Sequence, residues 1–390
     1  MNTSIDFLRG SLLCLLACAG LQHRLSAEDG RSIQVSDSFL VTSGKASLVS
    51  LKTVPFIESE YSKRFHFDSF ENPKLQELRE KYQLSQVVAS GKDEFEKQVL
   101  LNDWTHRQFL KFGTPSTNCH GALRILNAIT EGHTFYCAHY EEVLVSAAAS
   151  LGWVDRPIAL RRHKGVAKVG GSTEHSVTEM WSNQYAKWVM FDPTSNLHLE
   201  REGVPLNAFE IRQEWFYRSG SNLVFVVGKE QRHYRKNDLP IMLGHFEGFG
   251  DLAFHPDELD KYGFTGYIPN TDLMDSGYDY GQMFIVKDAL CNGTSWHVRK
   301  VPEHPETDPY FPIGQASVHL SASSGEVHVS LRTLTPNFKG YSVRMNGGPW
   351  SPSEQDFVWR MQPGQNRLEA KSINRFGVEG PTSSAAIVVE

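Results

Sequence analysis

Cys137, His175 and Asp192 follow one another in a stretch that reads helix, strand, strand. A thiol, an imidazole and a carboxylate supply a nucleophile, its general base and the group that orients the base. Cys137 opens the apolar run Cys137-Ala-His-Tyr-Glu-Glu-Val-Leu-Val-Ser-Ala-Ala-Ala-Ser-Leu151. A cysteine at a helix N-terminus meets backbone N–H groups and the positive end of the helix dipole, and both favour the thiolate. The N–H groups of such a turn can also face an oxyanion. His175 starts the strand-like run His175-Ser-Val-Thr-Glu-Met-Trp181, and Asp192 closes Tyr185-Ala-Lys-Trp-Val-Met-Phe-Asp192. With Ser182-Asn183-Gln184 as the hairpin turn, Asp192 falls opposite His175.

These residues need a scaffold, and the flanking patterns supply one. Tyr140, Leu144, Ala147, Ala148 and Leu151 recur at helical spacing, and Gly152 is placed to stop that helix. Upstream, 73–82 and 93–111 read as helices, the second capped by Asp93 and ended by Gly113 and Pro115. Residues 118–128 suit a further short helix. Downstream, 156–162 is a strand, 206–217 a helix and 223–227 a strand. Residues 31–70 carry β-branched and aromatic runs, including Arg64-Phe-His-Phe, and read as a small β layer packed on the helical segment after it. Residues 240–313 are rich in Gly, Pro, Asp and aromatics with no clear period. From Ala316 the chain alternates through Val318/Leu320/Ala322, Val327/Val329/Leu331 and Tyr341/Val343/Met345, with turns at Asn346-Gly347-Gly348 and Pro363-Gly364. That is the spacing of a β-sandwich. The expected organisation is a leader at 1–27, a β-rich segment at 28–70, an α+β catalytic core at 71–235, an irregular β-rich region at 236–314 and a β-sandwich at 315–390.

The 390 residues are 40% hydrophobic and 22% charged, with a net charge of −6, so no overall positive field points to nucleic acid or an anionic membrane. Arg9 precedes the apolar run Leu12-Leu-Cys-Leu-Leu-Ala-Cys-Ala-Gly-Leu21, which is too short to span a bilayer in the mature chain. Export with cleavage near Ala27 is the expectation. The lipobox-like Leu15-Leu-Ala-Cys18 leaves a lipid anchor on Cys18 as a lesser alternative. Removal of Cys14 and Cys18 leaves Cys119, Cys137 and Cys291, an odd number that points to one unpaired thiol. Cys119 and Cys291 either pair or are both buried thiols.

The residues around the three groups resemble the transglutaminase-like superfamily, relatives of papain-type cysteine enzymes. The resemblance covers roughly 70–200 and rests on Cys137 with its helix, Arg156-Pro-Ile-Ala-Leu, His175-Ser-Val-Thr-Glu-Met-Trp and Lys187-Trp-Val-Met-Phe-Asp192-Pro-Thr. Asn102-Asp-Trp-Thr resembles the segment that precedes that core. It implies Cys137 as nucleophile, His175 as base and Asp192 as orienter. Some members place a glutamine six residues before the cysteine as oxyanion donor. Glu131 stands here and would repel an oxyanion. Trp104 occupies about the place where animal transglutaminases carry a tryptophan linked to oxyanion stabilisation, which makes it a candidate beside a plain core role. The segment Phe357 to Gly377 resembles the closing strands of bacterial immunoglobulin or fibronectin type III modules.

Other groups gather near this pattern. His139, Glu179 and Trp181 are candidates for the substrate cleft, Glu179 and Trp181 alternating with His175 along one strand. Arg161 and Arg162, in the run Arg161-Arg-His-Lys164, suit an anionic substrate or a solvated loop. Neither His139 nor His163 has a zinc-ligand spacing, and no motif calls for a metal or cofactor. Asn292-Gly-Thr294 is a glycosylation sequon if the organism is a eukaryote. Three functions fit. The first is an exported cysteine enzyme that forms a thioester at a protein or peptide amide and releases it to an amine or to water. The second is a non-catalytic peptide- or glycan-binding protein on the same fold. The third is an enzyme cleaving a glycan amide or processing a polysaccharide.

Overall fold

The computed structural model describes residues 31–63, 65, 67–161, 174–235, 264–267, 284–285 and 303–390. The expected leader at 1–27, Arg162, His163, Cys291 and the sequon at 292–294 lie outside the described residues, as does most of 236–302. The chain is α+β, with antiparallel sheets and a cluster of helices.

Strands β1 (Arg31–Ser32), β2 (Ser38–Val41) and β3 (Gly44–Lys52) come first. The helices are α1 (Glu60–Lys63), α2 (Pro73–Lys81), α3 (Leu84–Val87), α4 (Glu94–Gln108), α5 (Ala122–Thr130) and α6 (Cys137–Ser150). Asn72 and Asp93 cap α2 and α4 through their side chains, accepting from Lys74 N and Glu96 N. Helix α4 ends at Gln108, before Gly113, because Phe109 turns into an extended conformation and stacks on Tyr140 with ring centroids 3.6 Å apart.

The central sheet is built from β4 (Asp155–Arg161), β5 (Glu174–Ser182), β6 (Lys187–Asp192), β7 (Leu197–Arg201), β8 (Val204–Pro205), then, after α7 (Ala208–Tyr217), β9 (Val224–Val227), β10 (Arg232–Arg235), β11 (Phe264–Tyr267) and β12 (Phe284–Ile285). Its order is β10-β9-β7-β6-β5-β4-β11-β12, with β8 on β7, and every pairing is antiparallel. Side-chain alternation divides it between two cores. Met180, Val189 and Phe191 join Tyr140, Val143, Leu144, Ala147 and Ala148 of α6. On the other face Val177, Trp181, Trp188 and Met190 pack with Ile211 and Trp215 of α7 and with Phe311. Helix α6 is buried almost all round, not on one face alone, because α2, α4, α5 and the sheet surround it.

The third unit contains β13 (Ser317–Ser323), β14 (Glu326–Arg332), β15 (Phe338–Met345), β16 (Ser351–Ser353), β17 (Asp356–Trp359), β18 (Gly364–Asn374) and β19 (Ser383–Val389). Two sheets, β1-β13-β14-β17 and β16-β15-β18-β19-β3-β2, share one apolar core. The N-terminal strands therefore form no separate layer on the helical core. Strand β3 pairs with β19, and Ala46 and Leu48 are fully buried between the sheets. Phe65 and Phe67 are not in a strand. Phe65 instead fills the core against Trp188 and Phe311, at centroid distances of 5.6 and 5.7 Å.

Candidate active site

Cys137 is the first residue of α6 and is half-buried. Tyr136 before it is extended and offers the helix no side-chain cap, and the positive end of the α6 dipole lies at Cys137. His175 is the second residue of β5, opposite Leu160, and Asp192 ends β6 opposite Leu197. The hairpin turn is Asn183 to Ala186, not 182–184, and Trp181 pairs with Trp188. Continuing that register sets Asp192 opposite Val177, two residues along from His175. A slip of two preserves the face on which each side chain projects. The imidazole spans the diagonal, and Nε2–H donates to Asp192 Oδ2 at 2.9 Å. The second imidazole nitrogen, Nδ1, is the one left for the thiol of Cys137, with which His175 also hydrogen-bonds.

Burial alone would push the His175 pKa down. The charge and hydrogen bond of Asp192, joined by Cys137, overcome it and hold the imidazole well above its ordinary value. Burial would raise Asp192, yet the His175 charge and the bonds from His175 and Ser195 bring it below the carboxylate range. Its second oxygen accepts Ser195 N at 3.0 Å.

The turn after Asp192 is held by a polar face of α4 that periodicity does not reveal. His106 Nδ1–H donates to the Pro193 carbonyl at 3.1 Å, and Asn196 Nδ2 donates to Asp103 Oδ1 at 2.8 Å. Asn102 reaches Asn196 Oδ1 at 3.5 Å. His106 is buried, and desolvation lowers its pKa against the pull of the Pro193 carbonyl, which keeps it a neutral donor. Asn102-Asp stood out only through the family resemblance, and His106 carried no signal of its own.

An open cleft of about 290 Å³ lies against the start of α6, lined by the 115–118 segment, His120, Tyr136 and His139. His139 thus borders the cleft. Glu179 and Trp181 do not. Glu179 is fully buried, bonded to Arg156 Nη2 at 2.7 Å, to Ala208 N at 2.8 Å and to the Tyr310 hydroxyl at 2.8 Å. Trp181 packs edge-on against Trp188 and donates to Asn183 Oδ1 at 2.8 Å. Both share the strand face of His175, but α7 and the 303–313 segment cover that face below the histidine. Trp104 lies on α4 with its ring 5.7 Å from that of Tyr82, in contacts of core packing. Glu131 caps the end of α5, is exposed and faces His133 at 3.7 Å. Arg161 closes β4, and its side chain is outside the described part of the molecule. Cys119 is half-buried and makes no disulfide with another described residue. Among the described residues no cluster of His, Cys, Asp and Glu is arranged to hold a metal, and no helix is long and apolar enough to cross a membrane.

No family model matches the sequence, and no curated protein does. Among solved structures, this chain is similar to a Cytophaga hutchinsonii protein described as a "Putative Cysteine Protease", with a TM-score of 0.27 and 15% identity over 38% of this chain and 49% of that one. It spans about half the length of that protein. It is also similar to red sea bream transglutaminase, with a TM-score of 0.26 and 10% identity over 88% of this chain and 76% of that one.

Proposed function

We propose that this chain is a transglutaminase-like cysteine enzyme that forms a thioester at a peptide amide and releases it to water. The observation that carries the reading is the joining of Cys137 and Asp192 through the buried His175 at the start of α6. His175 holds a proton more tightly than an ordinary imidazole, as a base paired with a thiolate must. Cys137 Sγ attacks the carbonyl carbon, and the carbonyl electron pair moves to oxygen. The oxyanion forms against the positive end of α6. Collapse breaks the C–N bond, and the leaving amine takes the proton from His175 Nδ1. Water then attacks the thioester and gives one proton to His175, and the carboxylic acid leaves as the Cys137 thiolate returns, losing its remaining proton to solvent. Asp192 remains ionised and holds the imidazole in one tautomer throughout. The open cleft at the start of α6 supports water as acceptor. The apolar run at 12–21 supports action outside the cell.

The test is incubation with a peptide mixture, with and without hydroxylamine or a primary amine, and then mass spectrometry. Hydrolysed amides, hydroxamates in the presence of hydroxylamine and loss of both in Cys137→Ala are expected. Amine-linked products in excess over hydrolysis would assign transfer as the main reaction. No turnover and no acyl adduct on Cys137 would overturn the enzymatic reading in favour of a binding protein.

A further inference from the structure

The cleft at the start of α6, which Tyr136 lines next to Cys137 in sequence, is bordered by the imidazole of a second histidine–carboxylate pair, on elements distinct from the first. His120 Nδ1 meets Glu142 Oε2 at 3.2 Å, and the other Glu142 oxygen accepts the N–H of Gly121. Glu142 is buried on α6, so both of its oxygens are committed beneath the cleft. With Nδ1 on Glu142, the opposite nitrogen of His120 faces away from it, towards the cleft that His120 lines. The His139 ring stacks parallel to that of His120, with centroids 5.9 Å apart. His139 is only 4% exposed, lines the same cleft and leaves Nδ1 without a well-formed hydrogen bond. Burial and the neighbouring His120 push its pKa down to about 4, while the Tyr136 carbonyl pulls the other way.

Among the described residues no acidic side chain lines this cleft, whose remaining polar groups are those of Ser116, Thr117, Asn118 and Tyr136. The positive end of the long helix α6 opens at Tyr136. A buried imidazole with an unmade bond, a second imidazole held from behind by a carboxylate, and a helix N-terminus converge on one opening. An entering carboxylate answers all three. It supplies an acceptor to each ring and meets the helix dipole. An entering cation would meet the helix with the wrong sign.

We propose that this cleft is a subsite for a carboxylate next to the scissile amide, with His120 as its specificity-determining residue and Glu142 as the group that positions His120. The assignment rests on the reading of Cys137 as the nucleophile only for its place in the reaction. The carboxylate is either an acidic side chain or the C-terminal carboxyl of the substrate.

Two measurements test it. In the first, Cys137 is alkylated by N-iodoacetyl-glutamate, its side-chain amide counterpart N-iodoacetyl-glutamine, and the two α-carboxamides, each rate divided by that of iodoacetamide for the same variant. A preference of about tenfold for one carboxylate is expected, the size of one charge-assisted hydrogen bond. The position of that carboxylate separates a side chain from a chain terminus. The preference should fall to near unity in His120→Ala and His120→Gln. In the second, which needs no reactive thiol, histidine-labelled protein is titrated with N-acetyl-glutamate and N-acetyl-glutamine, and ring resonances assigned with His120→Gln and His139→Gln are monitored. Shifts of both rings with the acid alone are expected. Equal response to acid and amide in both measurements, or an acid preference that persists in His120→Gln, would overturn the proposal. A Cys137 inert to iodoacetamide together with acid-specific ring shifts would overturn the nucleophile and leave the carboxylate site standing.

Discussion

At the residue scale, the buried pair of Asp192 and His175 makes stability a reporter of the site. The Asp192 pKa is lowered by folding, so its contribution is present above the unfolded carboxylate value and is lost as pH falls through the folded one. The His175 pKa is raised, so its contribution is complete below the unfolded imidazole value and is lost as pH rises through the folded one. The two windows overlap between about pH 4 and 6.5, bounded by ordinary carboxylate and imidazole values. The difference in thermal stability between the wild type and Asp192→Asn should therefore be largest in that window and shrink on both sides. A pH-independent difference would contradict the pairing. The pair was legible in the sequence because strand alternation has a period of two. Misplacing the turn centre by about one residue moves the partner across the ladder by two, which changes the partner but not the face. His120 was not legible, because its carboxylate comes from the second turn of α6, a later helix at no recognisable spacing from it.

At the scale of elements, the Arg156–Glu179 pair fastens β4 to β5, while Glu179 also accepts the first N–H of α7 and the Tyr310 hydroxyl. The Arg156 guanidinium lies 4.0 Å from the Trp188 ring centroid. Glu179 is therefore a structural joint and not a cleft residue. Glu179→Gln, which leaves Arg156 charged and buried, should cost about 3–5 kcal/mol of unfolding free energy. The folded fraction should still alkylate Cys137 at the wild-type rate. A stable Glu179→Gln protein with a slowed Cys137 reaction would return Glu179 to the site. Strand alternation placed Glu179 with His175 correctly but could not reveal that α7 and Tyr310 cover that face. The same limit applies to α6. Glu141, Glu142 and Ser146 look like a solvated side in sequence, yet four neighbouring elements bury them.

At the scale of the whole molecule, segments far apart in sequence are joined. The β-sandwich takes β1 onto β13 and β3 onto β19, so its core is incomplete without residues from the other end of the sequence. The alternating pattern from Ala316 onward gave the strands, but pairing across more than three hundred residues leaves no local trace. Residues 303–390 alone should lack a cooperative unfolding transition, and addition of a peptide spanning 31–58 should restore one. A sharp transition in 303–390 alone would contradict this dependence. The sandwich is also seated on the helical core. Asn374 Nδ2 donates to the Gly152 carbonyl at 2.9 Å, and Phe376 packs edge-on against Phe70 with centroids 4.8 Å apart. Gly152 has φ of +82°, and a Cβ there would lie 2.5 Å from the Phe376 side chain. Gly152→Ala should therefore lower the stability of the helical core and loosen the sandwich together, as hydrogen exchange at α6 and β18 would report.

The nucleophile itself is tested most directly by the rate of Cys137 alkylation by iodoacetamide as a function of pH, with the labelled residue identified by peptide mapping. A thiol held by His175 and the α6 N-terminus should react well below the ordinary cysteine range, and its profile should move towards that range in His175→Ala. A Cys137 that labels only at alkaline pH in the wild type, or a profile unchanged by His175→Ala, would contradict it.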